Sequence, residues 1–523
     1  MLPNGFFLTT PYRKCTMLPL GGCAMKILFV NVPHEAIGSR LAGEHLPPLG
    51  LLAVAGPLID AGHDVQLHDA DHDNLKIERI VVEILRRNPD VLMFGHSGST
   101  SAQPIIEEVA MLVRERTADI KIVIGGVFPT FHWADILRKH PQIDAIVLGE
   151  GEATCLNLIT ALANGTPLET VNGIAYRSEG KPVQTPLAPL IENLDDYRIA
   201  WELMEGYNYT YWGRKKAAVV QFSRGCPYPC LYCGQSVFWQ RWRHRDPQRF
   251  ADELEMLHKK FGIEVFNFAD ENMSTNQVAW RQFLEALIAK DLKLTMIGTI
   301  RTDNIVRDAD FLHLYKQAGF VRFLLGIEHY DASVLKTINK DSSVSTDREA
   351  IQLLRQHGIL SLVTYAIGFG DEKVSDFYRH WKRLLSYDPD QIMTIYVTPH
   401  RWTPYFEMAK SREVILTDLR KWDYKHQVLA NKNLSAWGVM FCSKVLEVLM
   451  QARPKALCRI LFHKDAKIRK AMRWYTRIGR NVWVWELYQF LFLTKLTKDK
   501  ITLEEFWKEQ YEIKPDDIAS KER

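Results

Sequence analysis

The stretch Gln221-Phe222-Ser223-Arg224-Gly225-Cys226-Pro227-Tyr228-Pro229-Cys230-Leu231-Tyr232-Cys233-Gly234-Gln235 decides how this chain is organised. Its three cysteines fall within eight residues, at the spacing C-x3-C-x2-C, directly after the apolar run 218–222. This pattern predicts a buried strand that ends in a short loop, where three thiolates gather around one point. The glycine and the two prolines of that loop favour non-helical backbone.

Three thiolates suit an iron–sulfur cluster better than a zinc ion. A structural zinc site needs four protein ligands, whereas a four-iron cluster held by three cysteines leaves one iron open to an outside ligand. No fourth ligand follows at a zinc-like spacing, because Cys155 lies far upstream and His244 lies eleven residues beyond Cys233. A degenerate zinc loop, or cysteines brought together by chance, is the less favoured interpretation.

The aromatic Tyr232 before the third cysteine makes the pattern C-x3-C-x-aromatic-C, which resembles the signature of the radical S-adenosylmethionine (SAM) superfamily. The resemblance implies that Cys226, Cys230 and Cys233 hold a [4Fe-4S] cluster and that its open iron binds the amino and carboxylate groups of SAM. It also implies that an electron from the cluster cleaves SAM to methionine and a 5′-deoxyadenosyl radical, which abstracts hydrogen.

Length and composition exclude several classes of protein. A chain of 523 residues is expected to form two or three domains, and 47% hydrophobic with 24% charged residues is ordinary for a globular protein. The net charge of +4 does not favour a nucleic-acid partner. Eight cysteines make no disulfide framework, so we expect a reduced, cytoplasmic and anaerobic setting.

Neither end of the chain predicts a membrane span. Residues 1–24 lack the layout of a signal peptide and are interpreted as an extension, with Met25 as an alternative start. No apolar run reaches the length of about 18 residues that a transmembrane helix needs. Peripheral membrane contact by the C-terminal part is left open.

Residues 25–163 are predicted to form a Rossmann-like α/β domain. Short apolar strands alternate with helical patterns, which favours an open parallel sheet. Strands are predicted at Lys26–Val30, Val65–Leu67, Val91–Gly95, Ile120–Ile124 and Ala145–Leu148, and helices at Leu49–Ala61, Ile77–Arg87, Gln103–Arg116 and Ala153–Ala163. Ligands of such sheets bind at the carboxyl ends of the strands.

Small and polar residues gather at those predicted strand ends. The Ser-rich turn 97–101 and the pair Gly125-Gly126 resemble the cobalamin-binding domain, which implies cobalamin contacts for Ser97, Ser99, Thr100, Gly125 and Gly126. The Asp-x-His-x-x-Gly segment that supplies a cobalt ligand in that family is absent, and His34 and His45 are weak replacements. The axial ligand therefore stays open. A flavodoxin-like module without any ligand is the alternative.

Residues 164–217 are interpreted as a linker, since Gly, Pro and Asn recur and the hydrophobic period is poor. The aromatic-rich part, 195–212, is expected either to pack between domains or to line the mouth of a site. Residues 218–397 then resume the alternation and resemble the partial (βα)6 barrel of radical SAM enzymes. Strands are predicted at 218–222, 265–268, 296–300, 323–327, 361–367 and 391–397, and helices at 248–260, 277–290, 309–318, 345–357 and 374–386.

The ends of these barrel strands carry the candidate SAM contacts. Asp270 and Glu271 could bond the amino group or the ribose hydroxyls, as could Glu328. Arg301 could bind the carboxylate, and Gly368 leaves room for adenine. Each of these residues could instead be a helix cap or a surface charge.

The aromatic and basic run 238–245 follows the cysteines. It is expected to brace the loop or to contact a large substrate; as an RNA-binding patch it is too short and isolated. Residues 398–523 are predicted to be mostly helical, with 415–495 rich in aromatic and basic residues. These helices could cover the barrel mouth or form a peripheral membrane face.

Several longer sequence segments resemble one family more closely, the anaerobic magnesium-protoporphyrin IX monomethyl ester cyclase family. The resemblance extends from about Met25 to Trp485. The segments that carry it are 43–50, 94–101, 225–227, 233–235, 242–247 and 396–404. The resemblance implies oxidation of a methyl-esterified propionate, a keto oxygen from water, and ring closure to divinyl protochlorophyllide. It implies a magnesium tetrapyrrole substrate and a low-potential electron donor such as ferredoxin or flavodoxin.

Two other functions remain open from the sequence. A cobalamin-dependent radical SAM methyltransferase would use the same two domains but would form S-adenosylhomocysteine. A non-catalytic cobalamin or tetrapyrrole sensor would not need the three cysteines. The sequence names no general base, and His329 and His400, near predicted strand ends, are the candidates.

Overall fold

The computed structural model of the protein describes residues 23–34, 44–96 and 100–511. Two α/β units follow one another along the chain, and a mostly helical region completes the molecule. This confirms the predicted fold class, a Rossmann-like domain followed by a partial (βα)6 barrel and a helical C-terminal region.

The first sheet has the strand order β2-β1-β3-β4-β5-β6-β7, and its first five strands are parallel. Helices lie between the parallel strands, so the strands are buried and strongly apolar. The strands are β1 Lys26–Asn31, β2 Asp64–Asp69, β3 Val91–His96, β4 Lys121–Gly126, β5 Ala145–Val147, β6 Ile174–Ser178 and β7 Lys181–Gln184. The helices are α1 Leu49–Asp60, α2 Ile77–Arg87, α3 Gln103–Arg114, α4 Val127–Lys139 and α5 Gly151–Asn164.

Two features of this domain differ from the prediction. None of the predicted helices lies between the strands predicted at Ile120–Ile124 and Ala145–Leu148, yet α4 begins directly after β4, because Gly126 adopts a φ of +105° and turns the strand into the helix. The hairpin β6–β7 falls inside the predicted linker 164–217, yet it pairs antiparallel with β5. That segment is therefore only partly a linker.

The second sheet has the order β16-β15-β14-β13-β12-β9-β8 and contains six parallel strands, with β8 antiparallel at one edge. Its strands are β8 Thr210–Tyr211, β9 Lys215–Val220, β12 Val265–Phe268, β13 Thr295–Ile300, β14 Phe320–Glu328, β15 Leu360–Ile367 and β16 Gln391–Tyr396, with β10 Ser223–Arg224 and β11 Arg243–His244 forming a separate pair. The helices are α6 Gly234–Trp239, α7 Pro247–Phe261, α8 Gln277–Ile288, α9 Thr302–Arg307, α10 Leu312–Ala318, α11 Ala332–Thr337, α12 Val344–Gln356 and α13 Val374–Tyr387.

The segment between the two sheets packs between the domains, one of the two outcomes expected for its aromatic residues. The amide of Ala200 donates to the carbonyl of Leu52 in α1 at 3.0 Å. The neighbouring indole of Trp201 donates to Glu253 in α7 at 2.6 Å. One short stretch of chain thus ties a helix of the first domain to a helix of the second.

The C-terminal region covers one side of the barrel and then returns to the first domain. Its helices are α14 Pro404–Ala409, α15 Ala436–Gln451, α16 Pro454–Phe462, α17 Ala466–Tyr488 and α18 Leu503–Tyr511, and its strands are β17 Glu413–Val414 and β18 Ile501–Thr502. α15 packs against α13 and β16. In α18, Trp507 stacks on His132 of α4 at 5.0 Å between ring centres.

Candidate functional site

The cysteine loop, residues 225–233, is held by hydrogen bonds from two distant parts of the chain. The amide of Leu231 donates to the carbonyl of Ile338 at 3.0 Å, and the carbonyl of Leu231 accepts from the amide of Tyr405 at 2.9 Å. The loop starts at Gly225, whose φ of +87° and close approach to the carbonyl of Arg241 leave no room for a Cβ. The backbone of the loop is thus fixed before any ligand binds.

The indole of Trp402 closes the other end of the loop. Its Nε1 donates to the carbonyl of Gly234 at 3.3 Å, and a Cβ at that glycine would lie 2.7 Å from the same nitrogen. Trp402 also stacks on Phe131 of the first domain and on His400, with ring centres 5.5 and 4.5 Å apart. One side chain therefore contacts the loop, the first domain and the C-terminal region.

The three thiols of the loop fit an open iron–sulfur cluster. Cys230 is buried, Cys226 and Cys233 are half-buried, and all three are free. Burial raises their pKa values, that of Cys226 to about 11, while Lys340 and Arg301 act in the opposite direction on Cys230. Among the described residues, no three His, Cys, Asp or Glu side chains, the three thiols of the loop included, lie close enough together to hold a single metal ion. One short segment thus supplies three thiolates, which suits a cluster of several irons better than one zinc ion with four protein ligands.

Asp270 and Glu271 follow β12, as predicted, but they differ in whether a carboxylate oxygen is left without a hydrogen-bond partner among the described residues. The carboxylate of Asp270 accepts hydrogen bonds from the amides of Phe222 and Ser223, at 3.1 and 2.6 Å, and from the Ser223 hydroxyl. Burial raises its pKa to about 7. Asp270 thus fixes the end of β9, where the chain enters the cysteine loop, and both its oxygens have partners within the protein.

Glu271 keeps one oxygen available. Its Oε1 accepts from the indole of Trp239 at 2.9 Å, whereas its buried Oε2 has no hydrogen-bond partner among the described residues. Burial raises the pKa of Glu271 to about 7. A buried acceptor without a partner is costly unless a ligand completes it, which fits a ligand that carries N–H or O–H groups.

Arg301 and Glu328 lie beside the cysteine loop. The guanidinium of Arg301 lies 3.5 Å from the ring centre of Tyr228 and forms an ion pair with Asp303 at 3.0 Å. Glu328 has a φ of +66° at an irregularity of β14, and its Oε1 lies 3.8 Å from Nζ of Lys340. Its buried Oε2 also has no partner among the described residues.

Gly368 follows β15 directly and has a φ of +102°, where a side chain would be strained. Its amide donates to Glu372 at 2.7 Å and its carbonyl accepts from Arg412 at 2.6 Å. The next residue, Phe369, packs edge-on against Tyr232 of the cysteine loop with ring centres 5.2 Å apart. The glycine therefore shapes the turn that faces the loop.

A cavity of about 380 Å³ lies between the carboxyl ends of the two sheets. Among the predicted site residues, Gly125, Gly126 and Glu271 line it. Residues of the first domain in its wall include Gly95, Gly125, Gly126, Gly149 and Glu150, and those of the barrel include Gln221, Arg224, Trp239, Ala269 and Glu271. At Gly149 a Cβ would meet nothing within 4 Å, so the wall is open there. Glycine-lined strand ends that face the barrel fit a broad ligand held between the domains.

The predicted Ser-rich turn 97–101 lies partly outside the residues that the structure describes. Ser97 and Ser99 lie outside the described residues. Thr100 is buried away from the cavity wall, and its hydroxyl lies 3.1 Å from Nδ1 of His400. The other ring nitrogen of His400 lies 2.7 Å from the hydroxyl of Tyr424. Thr100 thus joins the first domain to the C-terminal region.

The candidate histidines are held in different ways. Burial lowers the pKa of His400 to about 3 and that of His329 to about 4, so both are neutral at pH 7. His329 packs against His380 with ring centres 5.0 Å apart. His34 lines the cavity, with its Nδ1 2.8 Å from the carbonyl of Val32. The Nδ1 of His45 lies 3.9 Å from a carboxylate oxygen of Asp71.

Sequence reasoning missed a buried network of charges between the domains. Arg224 forms ion pairs with Glu150 at 2.8 Å and with Glu152 at 2.5 Å, and Arg243 binds the other oxygen of Glu150 at 2.7 Å. The acidic pair after β5 and the arginines that flank the cysteine loop are complementary in charge. This complementary charge was the only sign of the network in the sequence. Which carboxylate pairs with which arginine depends on how the two domains dock.

The aromatic and basic run 238–245 braces the loop, which agrees with one of its two interpretations. The indole of Trp242 donates to the carbonyl of Asn272 at 3.1 Å. Arg245 forms an ion pair with Asp195 at 2.7 Å and a second one with Glu253. These contacts connect the run to the turn after β12, to α7 and to the segment between the domains. The run also pairs with the chain just before the loop, because Arg243–His244 form β11 against Ser223–Arg224 of β10.

Known families match both domains. The family described as B12 binding domain matches residues 20–159. The Radical SAM superfamily matches residues 220–383. The two matches cover the glycine-lined strand ends and the cysteine loop, respectively.

Curated relatives match nearly the whole chain. The anaerobic magnesium-protoporphyrin IX monomethyl ester cyclase of Synechocystis sp. is 53% identical over 92% of this chain and 97% of its own length. The cyclase of the same name from Rubrivivax gelatinosus is 33% identical over 76% and 72% of the two chains. An uncharacterized methyltransferase of Pyrococcus horikoshii is 29% identical over 87% and 98%.

A solved structure shares the fold. The cobalamin-dependent S-adenosylmethionine radical enzyme OxsB, with aqua-cobalamin and S-adenosylmethionine bound, matches with a TM-score of 0.65. The identity is 17%, and the match covers 90% of this chain and 73% of that one. At this identity the likeness concerns the arrangement of the domains alone.

Proposed function

Because the chain belongs to the anaerobic magnesium-protoporphyrin IX monomethyl ester cyclase family, we propose that it closes the isocyclic ring on that magnesium porphyrin in chlorophyll biosynthesis. The reaction oxidises the methyl-esterified propionate side chain, takes the keto oxygen from water and gives divinyl protochlorophyllide. The observation that carries the proposal is the 53% identity to the Synechocystis sp. cyclase over 97% of its length. The substrate is then a tetrapyrrole, and the enzyme is a radical SAM oxidoreductase.

Three cofactors belong to this function: a [4Fe-4S] cluster, SAM and cobalamin. Cys226, Cys230 and Cys233 would hold the cluster, and Gly125 and Gly126 would face cobalamin. Together the bound cofactors supply the one-electron chemistry that removes hydrogen from the substrate. The three free thiols and the glycine-lined cavity of about 380 Å³ support this assignment.

The residues around the cysteine loop would bind and orient SAM. Glu271 and Glu328 each keep a buried carboxylate oxygen without a partner among the described residues, suited to donors of the ligand. Arg301 supplies a cation beside the loop, although it shares its charge with Asp303. Asp270 acts one step away, because its hydrogen bonds hold the backbone that leads into the loop.

The walls of the cavity also serve the reaction by excluding water. Trp239 and Phe238 line it from the barrel side, and the indole of Trp239 is held by its hydrogen bond to Glu271. With a raised pKa of about 7, Glu271 can hold a proton near neutral pH inside the cavity. Apolar side chains in the wall protect a reactive intermediate from solvent.

The proposed reaction also needs an electron from outside the chain and a reducing compartment. A low-potential electron donor such as ferredoxin or flavodoxin would reduce the cluster, because cleavage of SAM consumes an electron that must come from outside the chain. We place the protein in the cytoplasm, because free thiols of the cysteine loop require a reducing compartment. No helix in the described ranges is long and apolar enough to cross a bilayer.

The methyltransferase alternative uses the same domains and has weaker support. The uncharacterized methyltransferase of Pyrococcus horikoshii is 29% identical to this chain, against 53% and 33% for two cyclases. A methyltransferase would release S-adenosylhomocysteine as well, whereas the cyclase would release 5′-deoxyadenosine and methionine. Mass spectrometry of the nucleoside products separates the two functions.

Anaerobic reconstitution tests the proposal. The purified chain is supplied with iron, sulfide, SAM, cobalamin, a reductant and the magnesium-protoporphyrin IX monomethyl ester. We expect a five-ringed product with the absorption spectrum of protochlorophyllide, and none of it in a sample without SAM. Cleavage of SAM without that product would overturn the substrate assignment while leaving the radical chemistry in place.

A further inference from the structure

The outer side of the C-terminal helices carries an apolar surface that the proposed chemistry does not use. In α15 every exposed residue is hydrophobic. These residues are Trp437, Phe441, Val445, Val448 and Leu449. The first four follow the spacing i, i+4, i+8 and i+11, so they form one stripe along the helix.

This stripe continues on the neighbouring helices. Trp437 of α15 contacts Phe490, just beyond α17, with ring centres 5.2 Å apart. Tyr488 and Phe492 pack together there, and Phe492 is 71% exposed. The exposed apolar residues of this part are Leu457, Leu461, Phe462, Val484, Trp485, Tyr488, Leu491, Phe492, Leu493 and Leu496. We call these residues and the α15 stripe the apolar face; a surface of this kind is unusual on a monomer.

The same part of the chain holds the basic charge of the protein. Residues 453–500 contain 13 Lys and Arg but only 3 Asp and Glu, a net charge of +10. The whole chain carries +4, so all other residues together carry −6. A cationic region thus stands out against an anionic remainder.

Basic and apolar residues share one side of α17. The exposed residues Lys467, Lys470, Arg473, Arg477 and Arg480 recur every three or four positions, which we call the basic stripe. The same spacing continues into Val484 and Tyr488, which belong to the apolar face. Lys467, Lys470, Arg477 and Arg480 form no ion pair with any described residue. Their charges are therefore available to a partner.

The apolar face is preformed by buried charges beneath it. Lys444 of α15 binds Glu486 of α17 at 2.5 Å and Glu447 at 2.9 Å. Lys425 adds a further ion pair to Glu486 at 3.2 Å. Because these groups are buried, they hold α15 and α17 in register, and no folding step is needed before the apolar face can be used.

We propose that the apolar face and the basic stripe dock the protein on an anionic lipid bilayer. Apolar side chains would enter the boundary between headgroups and acyl chains, with aromatic residues at that level, while the basic stripe meets the lipid phosphates. Charge decides against a second copy of the chain, because such a contact would bring two regions of net charge +10 together. The helices lie on the membrane and do not cross it.

Sedimentation with lipid vesicles tests the docking. The full-length protein is mixed with vesicles of phosphatidylcholine containing about 30% phosphatidylglycerol, which imitates the anionic surface of a biological membrane, or with pure phosphatidylcholine. We expect binding to the anionic vesicles, at least about tenfold weaker binding to the neutral ones, and release by salt, because screening weakens exposed charge contacts. Equal binding to both vesicles, or no binding to either, overturns the proposal.

Two sets of variants separate the two parts of the surface. Trp437→Ser with Phe441→Ser and Phe492→Ser should abolish binding, and Lys470→Glu with Arg477→Glu and Arg480→Glu should weaken it at least about tenfold, because each basic residue near an anionic surface strengthens the attraction. All six residues are exposed, so the fold should persist.

Matched controls use exposed residues elsewhere. Leu187→Ser with Val278→Ser and Val374→Ser, and Lys181→Glu with Lys293→Glu and Lys336→Glu, should leave vesicle binding unchanged. Equal losses in the control variants would show a non-specific effect and overturn the assignment of the face. Sedimentation equilibrium adds the competing occupant: a dimer that the apolar variant converts to a monomer, without vesicle binding, assigns the face to a second copy instead.

Discussion

The two walls of the interdomain cavity are built on opposite principles. On the barrel side, the polar groups of the wall are mostly engaged by the protein: Arg224 binds Glu150 and Glu152, and the Oε1 of Glu271 accepts from Trp239. On the first-domain side the strand ends are glycines, and a Cβ added at Gly149 would meet nothing within 4 Å.

This difference separates two tasks. The barrel side must hold a loop of buried thiols in one shape, so it uses charges and hydrogen bonds that cost stability when one partner is lost. The first-domain side must leave room for a flat ligand, so it uses residues without side chains. Substitutions on the two sides should therefore fail in different ways, and the following experiments exploit that contrast.

The largest effect is expected at the cysteine loop. Cys230→Ala removes one of three thiolate ligands, so the cluster should be lost. The rate of product formation should then fall by at least about a hundredfold, which is more than the loss of a single hydrogen bond would cause. The visible absorbance of the reconstituted cluster measures cluster binding, and a product assay measures the rate. Cys458→Ala, at an exposed cysteine, is the control and should match the wild type. Full activity of the Cys230 variant would contradict the role of the loop.

The charge network should give the next largest effect, on stability. Arg224→Met leaves Glu152 buried without its arginine and leaves Glu150 with Arg243 and the amide of Ile191, which should lower the free energy of unfolding by about 3 kcal/mol. Urea unfolding followed by fluorescence measures it. Arg281→Met, which removes an exposed ion pair on α8 and a cation–π contact with Phe311, should change stability by less than about 1 kcal/mol. Similar losses in both variants would mean that the network does not join the domains.

The pH dependence of stability should identify the buried carboxylate in the cavity. Burial raises the pKa of Glu271 to about 7 from its usual 4.5, so the folded state holds a proton that the unfolded state releases in that window. This contribution is complete below pH 4.5 and is lost as the pH rises to about 7, by at most about 3 kcal/mol.

Replacing the carboxylate removes that dependence. Between about pH 5 and 8, Glu271→Gln should lose less stability than the wild type, as measured by urea unfolding at several pH values. Glu264→Gln, at an exposed position, should keep the wild-type profile. Identical profiles for wild type and Glu271→Gln would show that this carboxyl does not carry the proton.

The smallest effect should come from the glycine wall. Gly125→Leu places a side chain in the cavity and should weaken cobalamin binding about tenfold, which corresponds to about 1.4 kcal/mol, and leave the cluster absorbance unchanged. Equilibrium titration of cobalamin measures the affinity, with Ala118→Leu at an exposed site as the control. If Gly125→Leu lost the cluster as well as cobalamin, the two walls would not have the separate tasks assigned to them.

Strands and helices of both sheets were predictable because their signals are local. The strands Lys26–Asn31 and Val265–Phe268 have nearly the bounds that were predicted for them, because a buried parallel strand has a continuous hydrophobic sequence. The hairpin formed by β6 and β7 was missed because its alternation is weak and its partner, β5, precedes it by a long helix. The observed bounds of strands and helices differ from the predicted ones mainly where a glycine, such as Gly126, permits an abrupt turn.

The site was predictable in its residues but not in their partners. Three cysteines in one loop are recognisable by their spacing, and Glu271 follows its strand as expected. That Asp270 bonds to backbone, or that Thr100 meets His400, depends on residues far apart in the chain. Separations of this length leave no periodic trace in a sequence, so pattern analysis cannot assign them.

The position of Trp402 has a consequence for biosynthesis of the enzyme. The ribosome has completed the cysteine loop once Gln235 is added, yet the hydrogen bonds of that loop run to Ile338, Trp402 and Tyr405. A nascent chain that has not yet reached these residues cannot present the thiols in their final arrangement. Metal loading therefore belongs after residue 405 has left the ribosome, and an assembly factor that delivers iron and sulfide would meet a chain that already contains all the strands of the barrel.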